Sequence, residues 1–394
     1  MVAYANEEYR KELARELLSS GITAIDLELS PDPNLFPPEE GLSAALGIPF
    51  PPELAPKPQP MPAPPDPSAP LPRADVLVVT WTIDEQRALA DVLTPKFSKD
   101  RWYRYNRNYA DYDAQIRRGA PAKNARRLGS YFPAQIGNKS VLCYKSELHL
   151  NQDGIENPND RGNATLPVKA MFHQLIDEVD PKVVLTVGTA GGVSEEHDLG
   201  DVVVTRGAKF RVKGEFRNAP FKDGVYRSEW DVPTTRFALA EQLMAKFADN
   251  LIEPDLGAPT LNYDLPNPIR PTRANKPDIK LDGRDMPPFH PILTTDYFEF
   301  GTSKNQLFDE GCAVEMGDAV LGLACEERKT AGKSVPRWAV VRNLSDPQIN
   351  GDLRDKPAKL SLQAMWAVYY YQGYGYWTSV MSALATWGII GGLP

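Results

Sequence analysis

Short apolar runs alternate with amphipathic stretches along most of this chain. Residues 74–81 (ADVLVVTW) form a β-branched run typical of a buried parallel strand, and residues 83–93 follow with the apolar spacing of a helix. Because the alternation recurs, we predict an α/β fold. Further strands are predicted within 181–188, 200–205, 291–300 and 336–346, and further helices within 166–179, 237–247, 315–328 and the C-terminal residues.

Two turns are predicted between these elements. The segment 131–146 (YFPAQIGNKSVLCYKS) is typical of a hairpin that turns at Gly137 and Asn138. The strand within 181–188 is followed by GTAGG, residues 188–192, which we interpret as a glycine-rich turn. Such a turn could present backbone N–H groups to an anion or a hydroxyl.

Proline adds an extension to this picture. The chain has 37 prolines in 394 residues, against a usual share of about 5%. They are dense between Pro31 and Pro72, where an extended strap or linker is expected. We predict a short helix at 1–20 and a Pro-rich extension to residue 73, then one domain from 74 to 394 with insertions near 96–130 and 250–290.

Charge and rare residues exclude several classes of protein. The formal charge of −8 argues against a general nucleic-acid or anionic-membrane surface. Three cysteines and four histidines show no metal-ligand spacing, so no metal is expected. The first residues lack the apolar core of an export signal, and the apolar C-terminal stretch is interpreted as a buried helix. We expect a cytoplasmic protein without membrane contact.

One segment departs from the acidic average. Residues 96–127 combine ten lysines and arginines with interleaved tryptophan and tyrosine. Such a mixture is suited to polyphosphate or single-stranded nucleic acid. The alternative is a solvated insertion whose arginines pair with the acidic remainder of the chain. Both interpretations stay open from the sequence.

Candidate chemistry lies at three predicted strand ends. Glu85 follows the first strand, the GTAGG segment follows the second, and Ser345 and Asp346 end the last. Ligands of open α/β sheets gather at such ends. Glu85 and Asp346 could divide the work of a general base and a general acid. Helix capping and solvation are the alternative roles for either carboxylate.

The order of five segments carries a family resemblance. VVTWTIDEQRAL, VVLTVGTAGGVSEEHDLGDVVV, TTDYFEFGTS, AVEMGDAVLGLACE and WAVVRNLSD together resemble the purine nucleoside phosphorylase and nucleosidase superfamily, and most of all its methylthioadenosine/S-adenosylhomocysteine nucleosidase branch. The resemblance implies a single-domain, three-layer α/β fold around a central mixed twisted sheet. It implies hydrolysis of a purine nucleoside or nucleotide to free base, no cofactor, and a homo-oligomer of two or more copies.

The resemblance also implies roles for individual residues. Asp346 matches the general acid that protonates the leaving purine, and Glu85 matches the glutamate that activates the attacking water. Phe298 matches the aromatic ring that stacks on the base, and Met316 packs under the ribose. Glu299 reads the purine edge, and Ser345 orients Asp346. The full set of positions implied to bind substrate is Thr189, Gly191, Gly192, Phe298, Glu299, Glu315, Met316, Asp318 and Ser345.

Two positions depart from the superfamily pattern. Thr186 stands where phosphorylases carry an arginine, which favours water as the nucleophile. Gly317 stands where relatives carry the glutamate that binds the ribose hydroxyls, so Glu315 or Asp318 is the candidate replacement. A phosphate-dependent phosphorylase and a non-catalytic nucleoside-binding protein therefore remain as alternatives to a nucleosidase.

Overall fold

The fold is described from a computed structural model of the chain. It describes residues 46–150, 154–194, 196–251, 277–282, 290–297, 299, 301–302, 305–346, 348 and 362–394, with the backbone alone at 362–370 and 372–373. The predicted helix at 1–20 lies outside the described residues, as does most of the excursion at 250–290.

Strands and helices alternate along the described chain. The strands are β1 Lys57–Pro58, β2 Val76–Thr80, β3 Tyr103–Tyr105, β4 Gly129–Ile136, β5 Lys139–Ser146, β6 Glu156–Asn157, β7 Asp160–Ala164, β8 Val183–Gly192, β9 Val202–Thr205, β10 Gly207–Phe210, β11 Val225–Arg227, β12 Ile279–Leu281, β13 Ile292–Thr294, β14 Ala313–Glu315 and β15 Arg337–Asp346. The helices are α1 Ile83–Leu93, α2 Tyr109–Asp113, α3 Pro121–Ala125, α4 Pro167–Val179, α5 Phe237–Ala245, α6 Asp318–Thr330 and α7 Leu362–Gly391.

The described strands, apart from the β6–β7 hairpin, form one mixed sheet. Its main path runs β1-β4-β5-β2-β8-β14-β13-β10-β11, and β15 pairs with both β8 and β9. At its centre β5, β2, β8 and β15 are parallel neighbours. The β4–β5 hairpin turns between Ile136 and Lys139, as predicted. The predicted mixed α/β sheet is therefore confirmed.

Two apolar cores lie on opposite faces of this sheet. Successive side chains of a strand point to opposite faces, so a strand buried on both sides must be apolar throughout. In β2, Val76 and Val78 join the core under α1, α5 and α7, whereas Leu77 and Val79 join the core under α4 and α6. The sheet and the helices on its two faces therefore form three layers.

The C-terminal helix α7 belongs to the first core. Its residues from Val380 to Ile390 are almost all buried, and the indole of Trp387 donates to the carbonyl of Leu54 at 2.8 Å. The prediction of a buried terminal helix is confirmed. Among the described residues, none of the helices has both the length and the apolar character needed to cross a membrane.

The described part of the Pro-rich extension lies along the domain as a strap. Its short strand β1 pairs with β4, and Phe50 packs on Trp387 with ring centroids 4.8 Å apart. Further along, the backbone N–H of Met61 donates to the Tyr103 hydroxyl. The predicted division of the chain between residues 73 and 74 stays a prediction.

Three element predictions need correction. The GTAGG segment is not a turn, because β8 continues to Gly192 and pairs there with β15 and β14. The helix predicted from Glu315 begins at Asp318, since Ala313–Glu315 pairs with β8 and β13 as β14. The helix predicted within 237–247 ends at Ala245, and the excursion at 250–290 contains a strand, β12.

Candidate active site

The carboxyl ends of β2, β8 and β15 meet at one edge of the sheet. These strands are parallel neighbours, and Asp346 lies opposite Gly191 in the register. Glu85 lies in the first turn of α1, directly after β2. The fold thus brings together the three strand ends that the sequence predicted as candidate sites, at the place where open α/β sheets bind ligands.

Glu85 is held by a capping box. The Thr82 hydroxyl accepts the N–H of Glu85 at 3.3 Å, and Glu85 Oε2 accepts the N–H of Thr82 at 2.9 Å. Oε2 also accepts the Trp81 N–H and the Thr80 hydroxyl. Its partner Oε1 accepts both the N–H and the hydroxyl of Thr189, at 2.8 and 2.9 Å. The carboxylate therefore joins α1 to β8.

These contacts keep Glu85 ionised. Burial alone would raise the pKa of Glu85, but the positive charge of Arg342 and the N–H donors of Thr82, Thr189 and Trp81 lower it below its ordinary value. The closest approach of the Arg342 guanidinium to Oε1 is 3.8 Å. Glu85 is thus a fixed negative charge at neutral pH.

Gly188 permits this close packing. A Cβ at this position would lie 2.3 Å from Glu85 Oε1 and 2.6 Å from Arg342 Nη1. Neither distance is compatible with a side chain, and both neighbours are held by their own hydrogen bonds. The glycine that the sequence assigned to a turn is instead a strand residue that makes room for two buried charges.

Asp346 is in the opposite electrostatic situation. Burial raises the pKa of Asp346 to about 6, although the Ser345 hydroxyl, which donates to Oδ1 at 2.6 Å, acts to lower it. The side chain keeps some accessible surface at the end of β15. A Cβ on Gly191 would lie 2.8 Å from Oδ2, so this glycine also makes room for a carboxyl group.

Arg342 is the residue of this site that sequence reasoning missed. Its guanidinium binds Asp318 through two bonds, Nε to Oδ2 at 2.8 Å and Nη2 to Oδ1 at 2.6 Å. Nη2 also lies 3.3 Å from Glu315, and the indole ring of Trp81 covers the guanidinium at 4.8 Å. The sequence did contain an indication of it, because Arg342 stands inside the apolar run AVVRNL. A charged side chain is buried in such a strand only when it has partners.

Glu315 and Asp318 are therefore engaged within the protein. Asp318 has no accessible surface, and both of its oxygens face Arg342. Burial and the neighbouring Asp318 charge raise the pKa of Glu315, which accepts the N–H groups of Gly317 and Asp318. Of this pair, Asp318 makes the closer contact with Arg342, through two hydrogen bonds.

Gly317 leaves space beside an indole ring. A Cβ there would lie 3.4 Å from Trp81 Cζ2, an ordinary van der Waals contact. The buried Trp81 Nε1 has no hydrogen-bond partner among the described residues. Gly317 thus lies next to the indole N–H of Trp81, a buried donor with no acceptor in the described part of the chain.

The other predicted positions divide into two groups. Thr189 and Met316 keep accessible surface near the strand ends, whereas Gly191 and Gly192 pair with Val314 and Ala313 of β14. The prediction of Gly191 and Gly192 as turn residues is wrong, because both pair with β14 as part of the sheet.

Glu299 lies in an ion-pair network. Its carboxylate accepts Arg211 Nε at 2.7 Å and the Tyr297 hydroxyl at 2.7 Å. Its segment reaches the site through Gly301, where a Cβ would lie 2.0 Å from the Gly192 carbonyl oxygen. Phe298, the predicted stacking residue, lies outside the described residues. Within the part of the chain that is described, no group of three or more potential ligands is placed to hold a metal.

Comparisons with known proteins concern the fold. No protein-family model matches the sequence, and no curated protein matches it. Among solved structures, the 5′-methylthioadenosine/S-adenosylhomocysteine nucleosidase of Neisseria meningitidis, crystallised with methylthio-immucillin-A, is similar at 14% identity and TM-score 0.42, over 81% of this chain and 100% of that chain.

Two further solved structures give the same result. The futalosine hydrolase of Helicobacter pylori is similar at 12% identity and TM-score 0.43, over 81% of this chain and 97% of that chain. The 5′-methylthioadenosine/S-adenosylhomocysteine nucleosidase of Campylobacter jejuni is similar at 12% identity and TM-score 0.41, over 81% and 100%. The likeness is one of overall fold, and the role of each residue has to be argued from its own surroundings.

Proposed function

We propose that this protein hydrolyses the N-glycosidic bond of a purine nucleoside or nucleotide and releases the free base. The observation that carries the proposal is that the pKa values of two carboxyl groups are shifted in opposite directions at the ends of β2 and β15, the strands on either side of β8. Burial raises the pKa of Asp346 to about 6, while Arg342 and backbone donors lower that of Glu85. Two carboxyl groups whose pKa values differ in this way can act in one reaction, one as the proton donor and the other as the anion.

Asp346 is the proposed general acid. Cleavage of a glycosidic bond leaves negative charge on the departing purine, so protonation of the ring makes it a better leaving group. A carboxyl group with a pKa of about 6 still holds its proton in a useful fraction of molecules near neutral pH. The Ser345 hydroxyl bonded to Oδ1 orients the carboxyl group, which leaves Oδ2 to carry the proton.

Glu85 is the proposed anion on the sugar side. The reacting sugar develops positive charge, which a fixed carboxylate stabilises electrostatically. The N–H bonds from Trp81, Thr82 and Thr189 hold the carboxylate in place. The Thr189 hydroxyl is the exchangeable donor, because rotation about its C–O bond frees a lone pair of Oε1 for the proton of the attacking water.

Water is favoured over phosphate as the nucleophile. Thr186 has a fully buried side chain within β8 and offers no charge to a phosphate ion. The cation beside Glu85 is Arg342, whose forked donors are bound to Asp318. Glu85 would also repel an anionic nucleophile.

Chromatographic detection of free base tests this proposal. A panel of purine nucleosides and 5′-nucleotides is incubated with the protein, with and without phosphate. We expect phosphate-independent base release, which Asp346→Asn reduces by about 10²- to 10⁴-fold because the proton donor is gone.

Asp201→Asn is the matched control. Burial raises the pKa of Asp201 to about 6 as well, but its carboxylate accepts the N–H groups of Asp198 and Asp278 and is engaged there within the protein. This variant should retain activity. Full activity of Asp346→Asn would show that the general-acid assignment is wrong, and strict dependence on phosphate would establish a phosphorylase instead.

A further inference from the structure

A cavity of about 590 Å³ lies against the first turn of α1, the turn that carries Glu85. Its volume is within the range of roughly 300–1,000 Å³ found for small-molecule sites. The insertion at 96–127 supplies much of its wall, and the first turn of α1 and the strands β4 and β5 supply the rest. Its charged lining residues are Lys99, Asp100, Arg104, Arg127, Lys145 and Glu147.

Positive charge is concentrated in this cavity. Four cationic and two anionic side chains line it, an excess of two positive charges on a chain whose formal charge is −8. Arg104 donates to the Ala125 carbonyl and has no carboxylate partner among the described residues. Lys99 pairs with Asp100, which is largely exposed to solvent.

The inner wall holds a buried ion cluster with unequal charge. Lys145 and Arg127 both bind Glu147, and the side chains of Lys145 and Glu147 are only 7% and 5% exposed. Burial would raise the pKa of Glu147, but these two cations lower it, so the cluster carries two positive charges and one negative. A partly buried excess charge is costly without a counter-ion. The cluster therefore favours an anionic ligand.

Three other basic residues of the insertion are paired with carboxylates and do not line the cavity. Arg107, Arg117 and Lys123 pair with Glu178, Glu215 and Asp113, away from the cavity. The aromatic residues that suggested nucleic-acid stacking are also accounted for. Trp102, Tyr105 and Tyr112 are buried in the cores on the two sheet faces, so these three rings are not open for bases to stack on.

The cavity is next to Glu85. Lys145 of β5 lies opposite Thr80 of β2, whose hydroxyl donates to Glu85. Neighbouring strands are about 5 Å apart, so the backbone of Lys145 lies about that far from the backbone of Thr80, the residue that binds Glu85. Ile83 and Gln86, on either side of Glu85 along the chain, also line the cavity. A sugar held at Glu85 would have its 5′ substituent within reach of the cationic wall.

We infer that this cavity is an anion subsite that binds the 5′-phosphate groups of a nucleotide substrate. The inference rests on the proposed function, because it assigns the sugar and base to the Glu85 and Asp346 site. Charge-assisted hydrogen bonds from arginine and lysine are the interactions that phosphate oxygens favour. The substrate class is thus a purine nucleoside mono-, di- or triphosphate rather than a neutral nucleoside.

Base release from matched substrates tests the inference. The ratio of kcat/KM for adenosine and guanosine 5′-mono- and triphosphates to that for the parent nucleosides is measured in the wild type, Arg104→Gln and Lys99→Gln. We expect the nucleotides to be preferred, and each substitution to lower the ratio at least about tenfold, since one hydrogen bond to a charged group is lost. Arg118→Gln, an exposed arginine of the same insertion outside the cavity, is the control and should leave the ratio unchanged.

Inorganic tripolyphosphate separates a substrate subsite from an independent phosphate site. Competitive inhibition of nucleotide cleavage, lost in Arg104→Gln, supports the inference. Tripolyphosphate that changes nucleoside cleavage without competing with nucleotides would overturn it, as would equal kcat/KM values for nucleosides and nucleotides. If no compound releases base, the proposed function fails. Titration calorimetry of Asp346→Asn with adenosine and its triphosphate then decides the subsite, which is rejected if the triphosphate binds no more tightly.

Discussion

Asp346 and Glu85 show how one chemical group acquires two properties within a single site. Burial raises the pKa of Asp346 to about 6, because its single hydroxyl donor, Ser345, offsets burial only in part. Glu85 has five donated hydrogen bonds and a guanidinium 3.8 Å away, so the charged form is favoured. The assignment of acid and anion follows from these surroundings and not from the residue types.

The pH dependence of catalysis should report Asp346. The acid must be protonated, and its pKa is raised to about 6, so kcat/KM should be highest below that value and fall about tenfold per pH unit above it. Initial rates of base release between pH 4.5 and 9 measure the profile. Ser345→Ala should move the descending limb to higher pH, because the hydroxyl that lowers the pKa is gone. A profile without this limb would contradict the assignment.

Gly188 and Gly317 make a matched pair of substitutions. Gly188→Ala places a Cβ 2.3 Å from Glu85 Oε1, so we expect a loss of about 1–3 kcal/mol in the free energy of unfolding. Gly317→Ala places its Cβ 3.4 Å from Trp81 and should stay within about 1 kcal/mol of wild type. Urea titrations compare the two. Equal losses in both would show that packing around Glu85 is not tight.

Helix α1 serves the fold and the site with the same residues. Glu85 is both the third residue of the capping box and the carboxylate that binds Thr189 of β8. The start of α1 is therefore tied to the end of β8. The first role is contained in the local pattern T-x-x-E, while the second role depends on a strand about one hundred residues later.

Removal of the cap should destabilise α1. Thr82→Ala loses the side-chain acceptor of the Glu85 N–H and should cost about 1 kcal/mol in unfolding free energy. Thr82→Ser keeps the hydroxyl and should be close to wild type. Thermal unfolding followed by circular dichroism measures both variants. If the alanine and serine variants unfold alike, the Thr82 hydroxyl contributes nothing to stability and Glu85 is held by the donors to its own carboxylate.

Pairing between elements also explains where the element predictions failed. Glycine-rich GTAGG has the composition of a turn, but β14 and β15 supply hydrogen-bond partners on both sides, so β8 continues through it. Glu315 is the first residue of a predicted helix, yet its pairing with Thr294 of β13 makes it a strand residue. Tertiary partners override such weak local preferences.

The whole molecule combines two apolar cores with several buried carboxylates, and these groups govern its response to acid. Glu85 and Glu147 have lowered pKa values in the folded state. The stability they contribute is complete above their ordinary pKa and is lost as the pH falls through the lowered values. Asp346, whose pKa is raised, acts with the opposite sign and favours the folded state below about 6.

The stability contributed by Glu85 and Glu147 should therefore fall as the pH is lowered from about 5 through their ordinary pKa of 4.5. Glu147→Gln tests the contribution of the buried cluster, because it leaves Lys145 and Arg127 without their carboxylate. We expect a loss of about 3 kcal/mol at pH 7, and a difference from wild type that shrinks as the pH is lowered. Denaturant titrations across this range measure it. Parallel curves for the two proteins would contradict the lowered pKa of Glu147.

The sequence by itself determined the α/β class, most strands and helices, and the three strand ends with Glu85, Ser345 and Asp346, because burial of a strand or helix face leaves a periodic trace along the chain. Only the tertiary structure decided that Arg342 binds Asp318, that Gly188 makes room for two charges, and that the basic insertion lines a cavity beside Glu85. Those properties depend on distances between residues far apart in the chain, and the sign of a pKa shift depends on burial and neighbouring charges that no local pattern contains.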